Sequence, residues 1–345
     1  MERISELTGS AASAVFVECD LRDKDALDRI FEEHKPSQVI HFAGLKAVGE
    51  SKLMPLHYYN NNIVGTVVLL EVMAKHCCMD LVFSSSCTVY GESKPPLSED
   101  APVGSGVTNA YGRTKFMIEE ILRDMHRAGE LGGGEHEGSG AWRFAILRYF
   151  NPVGAHPSGR MGEDPMGKPN CLMPYVLQVL VGRRDKLTVF GRDYETRDGT
   201  CIRDYIHVMD VARGHIDALG WLQAQSDERG LCEEFNFGTG TGTTVLELVQ
   251  GLETASGKTV ARDFGPRRPG DLPETFCDPT KAGRVLGWKC EYGLEAMCKD
   301  AWEWQSKNPF GYRSKEDVDA EEKEKESTLK EDIVVPAAAA GGGAD

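Results

Sequence analysis

Short apolar runs alternate with helical stretches over the first 150 residues of this 345-residue chain. The apolar runs, at residues 15–19, 38–42, 81–85 and 144–149, predict buried strands. Helices are predicted between them, at residues 24–34, 55–76 and 111–128. This alternation is typical of a parallel sheet with helices on both faces, because each parallel connection needs a long crossover. The sequence therefore predicts an α/β fold with a doubly wound parallel sheet.

The formal net charge of -15 disfavours a nucleic-acid partner, because such binding rests on clustered Lys and Arg. Ten acidic and four basic residues lie in residues 314–345, which we expect to be a disordered tail. The ten cysteines include no C-x-x-C pair and lie within apolar stretches, so they predict reduced thiols in a cytoplasmic protein. No secretory signal and no apolar run of ~18 residues is visible, so no membrane association is expected.

Two motifs carry most of the chemical information. The first is S-S-S-C-T-V-Y-G at residues 84–91, and the second is Y-G-R-T-K at residues 111–115. Tyr111 and Lys115 are four apart on a predicted helix and so share a face, and Ser86 could bring a hydroxyl to the same point. Lowering a phenol pKa of ~10 by ~3 units requires ~4 kcal/mol, which nearby opposite charges can supply. A Y-x-x-x-K pair alone is more often a chance feature of an amphipathic helix, so the surrounding sequence has to decide.

That surrounding sequence resembles the UDP-glucose (UDP-galactose) 4-epimerases of the extended short-chain dehydrogenase/reductase superfamily, over residues 15–312. The matching motifs are V-I-H-F-A-G-L-K-A-V-G-E-S (39–51), the two motifs above, L-R-Y-F-N-P-V-G-A-H-P (147–157), R-D-Y-I-H-V (203–208) and R-R-P-G-D-L-P (267–273). Related dehydratases and decarboxylases carry acidic residues in the strand motif, where this chain has Cys87 and Thr88. The resemblance therefore points to an epimerase.

The resemblance implies that NAD is a bound cofactor and that UDP-glucose and UDP-galactose interconvert through a 4-keto sugar. Tyr111 would remove the C4 hydroxyl proton, Ser86 would relay or orient it, and Lys115 would hold the cofactor ribose and lower the Tyr111 pKa. The implied partners are a UDP-sugar and a second copy of the chain in a homodimer. No metal is implied, and the spacing of His41 and the other histidines is not that of a zinc site.

The resemblance also assigns binding residues. The implied cofactor contacts are Asp20, Leu21, Phe42, Ala43, Gly44, Leu45, Lys46, Asn61, Ser86, Tyr111, Lys115 and Phe150. The implied UDP-sugar contacts are Ser86, Tyr111, Asn151, Asn170, Leu172, Thr188, Val189, Phe190, Arg203, Arg268, Asp271 and Thr275. The two arginines suit a diphosphate, because a planar guanidinium can bind two oxygens at once. The apolar members of both sets could equally be core residues.

Two positions depart from the family pattern in the substrate half. Cys171 stands where a second Asn usually binds the nucleotide, and a thiol is a weaker donor. Thr275 stands where the family has a bulky Tyr or a small Cys. Because Thr is small, we expect an N-acetylated sugar (UDP-GlcNAc or UDP-GalNAc) to fit, although a packing role for Thr275 stays open.

The resemblance implies three regions: an incomplete NAD-binding Rossmann-type domain (1–150), a mainly UDP-sugar-binding lobe (151–312) with some elements returning to the first domain, and an acidic tail (313–345). A family member begins with a strand and a glycine-rich turn whose helix amides hold the cofactor pyrophosphate, and the given sequence shows neither. The glycine-rich run at residues 238–242 reads as a tight turn. We therefore expect a gap of roughly 14 Å between residues 15–19 and 38–42. We also expect doubtful activity of this chain, with an inactive relative that keeps UDP-sugar binding or dimerisation as the alternative.

Overall fold

The computed structural model describes residues 14–131, 141–225, 230–268 and 270–318, together with residues 3, 4, 7 and 320. The strands within this part of the chain are β1 (Gln38–His41), β2 (Asp80–Ser86), β3 (Arg143–Tyr149), β4 (Asn151–Val153), β5 (Leu187–Phe190), β6 (Ile202–His207), β7 (Leu231–Phe237), β8 (Gly242–Thr244), β9 (Arg262–Gly265) and β10 (Glu274–Thr275). The helices are α1 (Lys24–His34), α2 (Val48–Leu53), α3 (Pro55–Tyr58), α4 (Gly65–Lys75), α5 (Ala110–Glu130), α6 (Leu172–Leu180), α7 (Val208–Ala224), α8 (Val245–Ser256), α9 (Thr280–Leu286) and α10 (Leu294–Lys307).

A parallel four-stranded sheet in the order β1-β2-β3-β7 forms the centre of the fold. Its strands are apolar on both faces because helices cover both sides. On one side α1, α4 and α5 enclose a core that includes Phe83 and Phe144. On the other side α7 and α9 pack over Leu147 and Phe237. The predicted doubly wound α/β class is confirmed, and β7 brings the second half of the chain back to the central sheet.

The remaining strands build a smaller layer beside the carboxyl ends of the central sheet. β6 lies between β10 and β4 and pairs with both in parallel, while β8 pairs with β6 in the antiparallel sense. β5 and β9 form a separate parallel pair. Helices α6, α8 and α10 pack together around Leu248 and Met297 in a core of their own. The division of the chain into the three predicted regions stays a prediction.

The predicted helix at residues 55–76 is formed by three consecutive segments. Between α3 and α4 the chain makes a π-helical stretch, Tyr59–Val64. Such stretches are rare and occur frequently at functional sites. Here the stretch contains Asn61 and Asn62, which face the loop after β1.

Three local predictions need correction or lie outside the described residues. Residues 15–19 are extended but not a strand, because within the described residues no strand pairs with them, and Val15 and Phe16 are 75% and 72% exposed. Residues 315–318 of the predicted disordered tail are helical, and Val318 is buried. Glycine and polar residues at 130–140 predict a surface loop. Residues 132–140 of that segment, and the rest of the acidic tail from 321, lie outside the described residues. None of the described helices combines the length and hydrophobicity that a bilayer crossing requires.

Candidate active site

The catalytic candidates meet at the carboxyl edge of the central sheet. Ser86 is the last residue of β2, and its Oγ accepts hydrogen bonds from the Thr88 backbone N (3.2 Å) and Thr88 Oγ1 (3.0 Å). Tyr111 is the second residue of α5, whose N-terminus is capped by Asn109 Oδ1 accepting from Gly112 N at 2.9 Å. The Ser86 hydroxyl lies close enough to the Tyr111 phenol to act on its pKa, which it lowers against the larger effect of burial. The structure thus brings the predicted base and hydroxyl together.

A buried ion pair fixes α5 against the sheet. Arg148 on β3 donates to both carboxylate oxygens of Glu119 on α5, at 3.0 and 2.7 Å, and Ser85 Oγ donates to the same carboxylate at 2.5 Å. Arg148 is 1% exposed and Glu119 is 0% exposed. Glu119 lies two helical turns after Tyr111, so this pair sets the position of Tyr111 over β2.

The electrostatics of the site do not favour a phenolate in the protein alone. Burial raises the pKa of Tyr111 to about 12, against the effect of the Ser86 hydroxyl, which lowers it. Lys115 is buried, and this burial lowers its own pKa to about 8. Its ammonium donates to the Ser84 carbonyl at 2.6 Å and lies 4.8 Å from the ring centre of Phe83. The predicted lowering of the Tyr111 pKa by Lys115 stays a prediction.

The loop after β1 lies directly over the Lys115 ammonium. A β-carbon on Gly44 would come 3.7 Å from Lys115 Nζ and 3.4 Å from Asn62 Oδ1. Asn62 holds this loop, accepting from Leu45 N at 2.8 Å and donating to Leu45 O at 3.0 Å and to Thr114 Oγ1 at 3.0 Å. Sequence reasoning missed Asn62, although its place in the run of three asparagines at 60–62 beside Asn61 was a signal.

Other predicted cofactor contacts surround this loop. Phe42 is 60% exposed at the end of β1, and Ala43 and Lys46 are also exposed. Leu21 packs beside Gly65 at the start of α4, one turn beyond Asn61. The last two predicted cofactor contacts have opposite environments. Asp20 is exposed and pairs with Arg22, whereas Phe150 is buried against Tyr90.

A second group of candidates lies on β6 and in the segment before β10. Arg203 donates from Nη1 to the carbonyls of Ile202 (2.7 Å) and Leu272 (2.9 Å), and its Nη2 is 3.9 Å from Asp271. Arg268 donates from Nε to the other oxygen of Asp271 at 2.9 Å. The carboxylate of Asp271 therefore lies between two guanidinium groups.

Phe190 and Thr275 adjoin these arginines. The Arg268 guanidinium carbon lies over the Phe190 ring, 5.2 Å from the ring centre. Thr275 on β10 pairs in register with Arg203 on β6. Asn170 is exposed just before α6, and Cys171 is the N-cap residue of that helix without a side-chain cap hydrogen bond.

The other predicted UDP-sugar contacts differ in how deeply they are buried. Leu172 and Val189 contribute to the core of the substrate lobe, and Val189 is 2% exposed. Thr188 on β5 pairs in register with Asp263 on β9, and Asn151 begins β4 half-buried. The apolar pair is thus core, which was one of the two readings left open by the sequence.

Cys87 connects the two groups electrostatically. It follows Ser86, and its pKa is raised to about 12 by burial, with the charge of Arg203 acting in the opposite direction. Cys171 in turn raises the pKa of Tyr111. Cys87 therefore lies within electrostatic range of both Tyr111 and Arg203.

The glycine-rich run at residues 238–242 forms a turn around an internal carboxylate. Asp204 accepts hydrogen bonds from Thr239 N (2.7 Å) and Gly240 N (3.0 Å). These amides are consequently committed to the protein itself. The sequence prediction of a tight turn is confirmed, but Asp204, adjacent to Arg203 in the R-D-Y-I-H-V motif, was missed. Among the described residues, no cluster of His, Cys, Asp or Glu is arranged to hold a metal ion.

Comparison with known proteins places this site in context. The chain matches the family model described as GDP-mannose 4,6 dehydratase over residues 1–301. It is 55% identical to UDP-glucose 4-epimerase 2 of Arabidopsis thaliana over 91% of this chain and 86% of the relative. It is 52% identical to UDP-glucose 4-epimerase of Bacillus subtilis over 92% of this chain and 88% of the relative.

Solved structures give the same picture. The UDP-glucose 4-epimerase of Bifidobacterium longum in complex with NAD+ and UDP superposes with a TM-score of 0.81 and 44% identity, over 90% of this chain and 88% of that chain. The enzyme from Stenotrophomonas maltophila, with NAD and formylated UDP-arabinopyranose, has a TM-score of 0.81 and 44% identity over 89% and 87% of the two chains.

Proposed function

The chain is a member of the UDP-glucose 4-epimerase family in the extended short-chain dehydrogenase/reductase superfamily, and on this basis we propose that it interconverts UDP-glucose and UDP-galactose by inversion at C4. The observation that carries the proposal is the placement of Tyr111 beside Ser86 at the carboxyl edge of a parallel sheet, with Lys115 one turn further along α5. In open α/β sheets this edge is where ligands bind. No acidic side chain occupies positions 87 and 88, which favours epimerisation over dehydration.

Tyr111 and Ser86 would handle the proton of the sugar C4 hydroxyl. Tyr111 receives it, with Ser86 orienting the hydroxyl, and returns it to the C4 oxygen after the 4-keto sugar has turned in the site to present the opposite face of C4. General base catalysis of this kind contributes about 10²–10⁴-fold to the rate. Because burial places the Tyr111 pKa near 12, additional positive charge beside the phenol is needed for it to act as a base at neutral pH.

The residues around Lys115 fit NAD. NAD, when bound, supplies reversible hydride transfer at C4 and a positive nicotinamide ring. Lys115 would donate to the ribose hydroxyls, because its buried ammonium lies beside the loop after β1. There Gly44, which has no side chain, leaves room for the cofactor to approach closely. Residues 42–46 and Asn61 would line the cofactor, with Asp20 and Leu21 at the adenine end.

Arg203 and Arg268 would bind the diphosphate of the UDP-sugar. Charge-assisted hydrogen bonds to two guanidinium groups hold such a group strongly. Asp271 keeps both side chains directed to one point. Thr275, in register with Arg203, would border the sugar, and its small volume supports acceptance of UDP-GlcNAc and UDP-GalNAc as a second substrate pair.

An inactive relative that keeps only UDP-sugar binding or dimerisation is the alternative. The comparisons do not favour it, because the similar proteins are UDP-glucose 4-epimerases and the match extends over 91% of the chain. The spatial grouping of Tyr111, Ser86 and Lys115 also supports activity.

We further propose a cytoplasmic homodimer. All ten cysteines are free thiols, as expected in a reducing compartment. Helices α2 and α3 pack on α5, and this side of the molecule exposes Leu53 (84%), Leu56 (80%) and Met117 (42%). Exposed apolar side chains grouped in this way are typical of a protein interface, and a two-fold dimer is the commonest assembly.

The proposal is tested with the full chain in the presence of excess NAD. Wild type should convert UDP-galactose to UDP-glucose, and Tyr111→Phe should lower kcat by about 10²–10⁴-fold. The Kd for UDP, measured by calorimetry, should stay within about twofold of wild type, because Tyr111 serves the sugar and not the diphosphate. Tyr312→Phe, in an exposed tyrosine whose hydroxyl bonds the Gly162 backbone, is the matched control and should be fully active.

Two results would contradict the proposal. If Tyr111→Phe retained near-normal kcat, Tyr111 would not be the base. If wild type bound UDP but converted no sugar with NAD present, the inactive alternative would be correct.

A further inference from the structure

We propose that Asp204 is a positioning residue of the UDP-binding site, whose buried carboxylate fastens β10 and the turn at residues 238–240 to β6 and so fixes Arg203 and Thr275 relative to each other. The inference rests on the proposed function, because it concerns the binding of a nucleoside diphosphate at Arg203. Asp204 itself is placed to act through other residues, not to touch the ligand.

The carboxylate of Asp204 is fully buried and accepts five hydrogen bonds from two separate segments. Oδ1 accepts from Thr239 N and Thr239 Oγ1, both at 2.7 Å. Oδ2 accepts from Gly240 N at 3.0 Å, Cys277 N at 3.2 Å and Cys277 Sγ at 3.3 Å. Successive backbone amides of this kind form a concave anion site. The site is filled by a side chain of the protein itself, so its role is to hold three chain segments together.

Glycine is required where this turn meets the carboxylate. A β-carbon on Gly238 would lie 2.5 Å from Asp204 Oδ2, and Gly240 has a φ of +71°. Cys277 contributes as a donor because burial, followed by the charge of Asp204, raises its thiol pKa and keeps it protonated. Gly238, Gly240 and the protonated Cys277 thiol are thus residues that can surround the buried Asp204 carboxylate without a clash or an unpaired donor.

The fastened segments carry the diphosphate site. β10 has only two residues, and it places Thr275 beside Arg203. At one end of β10, Ile202 N donates to Pro273 O at 2.8 Å, and Arg203 Nη1 donates to Leu272 O at 2.9 Å. At its other end, Asp204 holds Cys277. A strand this short has little pairing of its own, so the segment that orients the Arg203 guanidinium is held at this end by the contacts of Asp204, together with the backbone bridge between Leu97 and Cys277.

Asp204→Asn is the informative substitution because it keeps the shape and changes the hydrogen bonding. An amide offers one acceptor oxygen and one donor nitrogen, so it must present N–H to one of the two sets of backbone N–H groups. Leaving buried donors unpaired should raise the Kd for UDP by about tenfold or more. The KM for UDP-galactose should rise in parallel, while kcat should change less than about threefold because Tyr111, Ser86 and Lys115 are on other elements.

Asp210→Asn is the matched control. Asp210 is also a fully buried aspartate, and its carboxylate accepts from Glu291 N at 3.1 Å, Tyr292 N at 3.1 Å and Arg213 Nη2 at 2.7 Å, none of which is a predicted UDP-sugar contact. It should lower the thermal midpoint as Asp204→Asn does but leave the Kd for UDP unchanged. This pair separates loss of positioning from loss of stability.

The measurement is calorimetric titration of the full-length variants with UDP, after circular dichroism has confirmed folding. A folded Asp204→Asn protein with the wild-type Kd would overturn the inference while leaving the proposed function intact. A wild-type chain that does not bind UDP would overturn both. If Asp204→Asn does not fold, Thr239→Val decides, since it keeps every backbone donor to Asp204 and removes only the Thr239 hydroxyl, which donates to Oδ1 and also bonds the Thr241 backbone. It should raise the Kd about threefold or more, and an unchanged Kd would refute positioning through this carboxylate.

Discussion

Replacing Lys115 by Met should stabilise the fold while abolishing catalysis. Lys115 is 5% exposed, and burial lowers its pKa from 10.5 to about 8. That lowering corresponds to about 3 kcal/mol against the charged side chain in the folded protein. The substitution also removes the hydrogen bond to the Ser84 carbonyl, which offsets about 1 kcal/mol of the stability gained by removing the buried charge. Since Met has a similar length and no charge, the free energy of unfolding at pH 7 should rise by about 2 kcal/mol.

The free energy of unfolding should depend on pH in a direction that follows from the lowered pKa of Lys115. A lysine with a lowered folded-state pKa binds fewer protons in the native than in the unfolded chain between pH 8 and 10.5. The wild type therefore gains stability from this residue as pH rises through that window, and Lys115→Met does not. The advantage of the variant should shrink by about 2 kcal/mol between pH 7 and pH 9.5.

Urea unfolding followed by tryptophan fluorescence, at several pH values over that range, measures the difference between the two proteins. Comparing variant with wild type removes the titration of all other groups. Lys75→Met is the control of opposite sign, because a hydrogen bond to Asp28 raises the pKa of Lys75, so its loss should not stabilise the protein. A Lys115→Met protein that is less stable at pH 7, or whose difference from wild type does not vary with pH, would refute the reasoning. Stabilisation with loss of activity would identify Lys115 as a charge kept for function at the expense of stability.

Thr275→Tyr should lower conversion of UDP-GalNAc by at least about tenfold while sparing UDP-galactose, because the larger ring would fill the space beside Arg203. Equal loss on both substrates in a coupled assay would show that position 275 does not select substrates by size. Leu56→Glu should convert the proposed dimer to a monomer in size-exclusion chromatography with light scattering, since a charge in an apolar interface is left unpaired. An unchanged mass, or a monomeric wild type, would remove this face from any interface.

The regular elements of the central sheet were predictable because their signals are local. The strands at β1, β2 and β3 are short apolar runs between polar segments, and the helices around them follow a 3.6-residue pattern. The prediction for residues 15–19 was wrong for an equally physical reason. An apolar run indicates a capacity to form a strand, but a strand exists only where another one pairs with its backbone groups.

The catalytic candidates were also within reach of the sequence. Tyr111 and Lys115 are separated by one helical turn, and Ser86 ends an apolar run, so a helix crossing the strand's carboxyl end brings them together. What the motif could not give is their electrostatics. The pKa of Tyr111 is governed first by burial, and burial depends on every segment packed around the site.

The sequence by itself determined the order and type of most elements, the family and the candidates for the reacting side chains, because these depend on periodicity and on motifs of neighbouring residues. Only the tertiary structure decided which partners those side chains have. Glu119 and Arg148 are 29 residues apart, and Asp204 and Cys277 are 73 apart, yet each pair is in hydrogen-bond contact. Such contacts leave no periodic trace in the chain. They form only when packing excludes water and forces each buried polar group to find a partner within the protein.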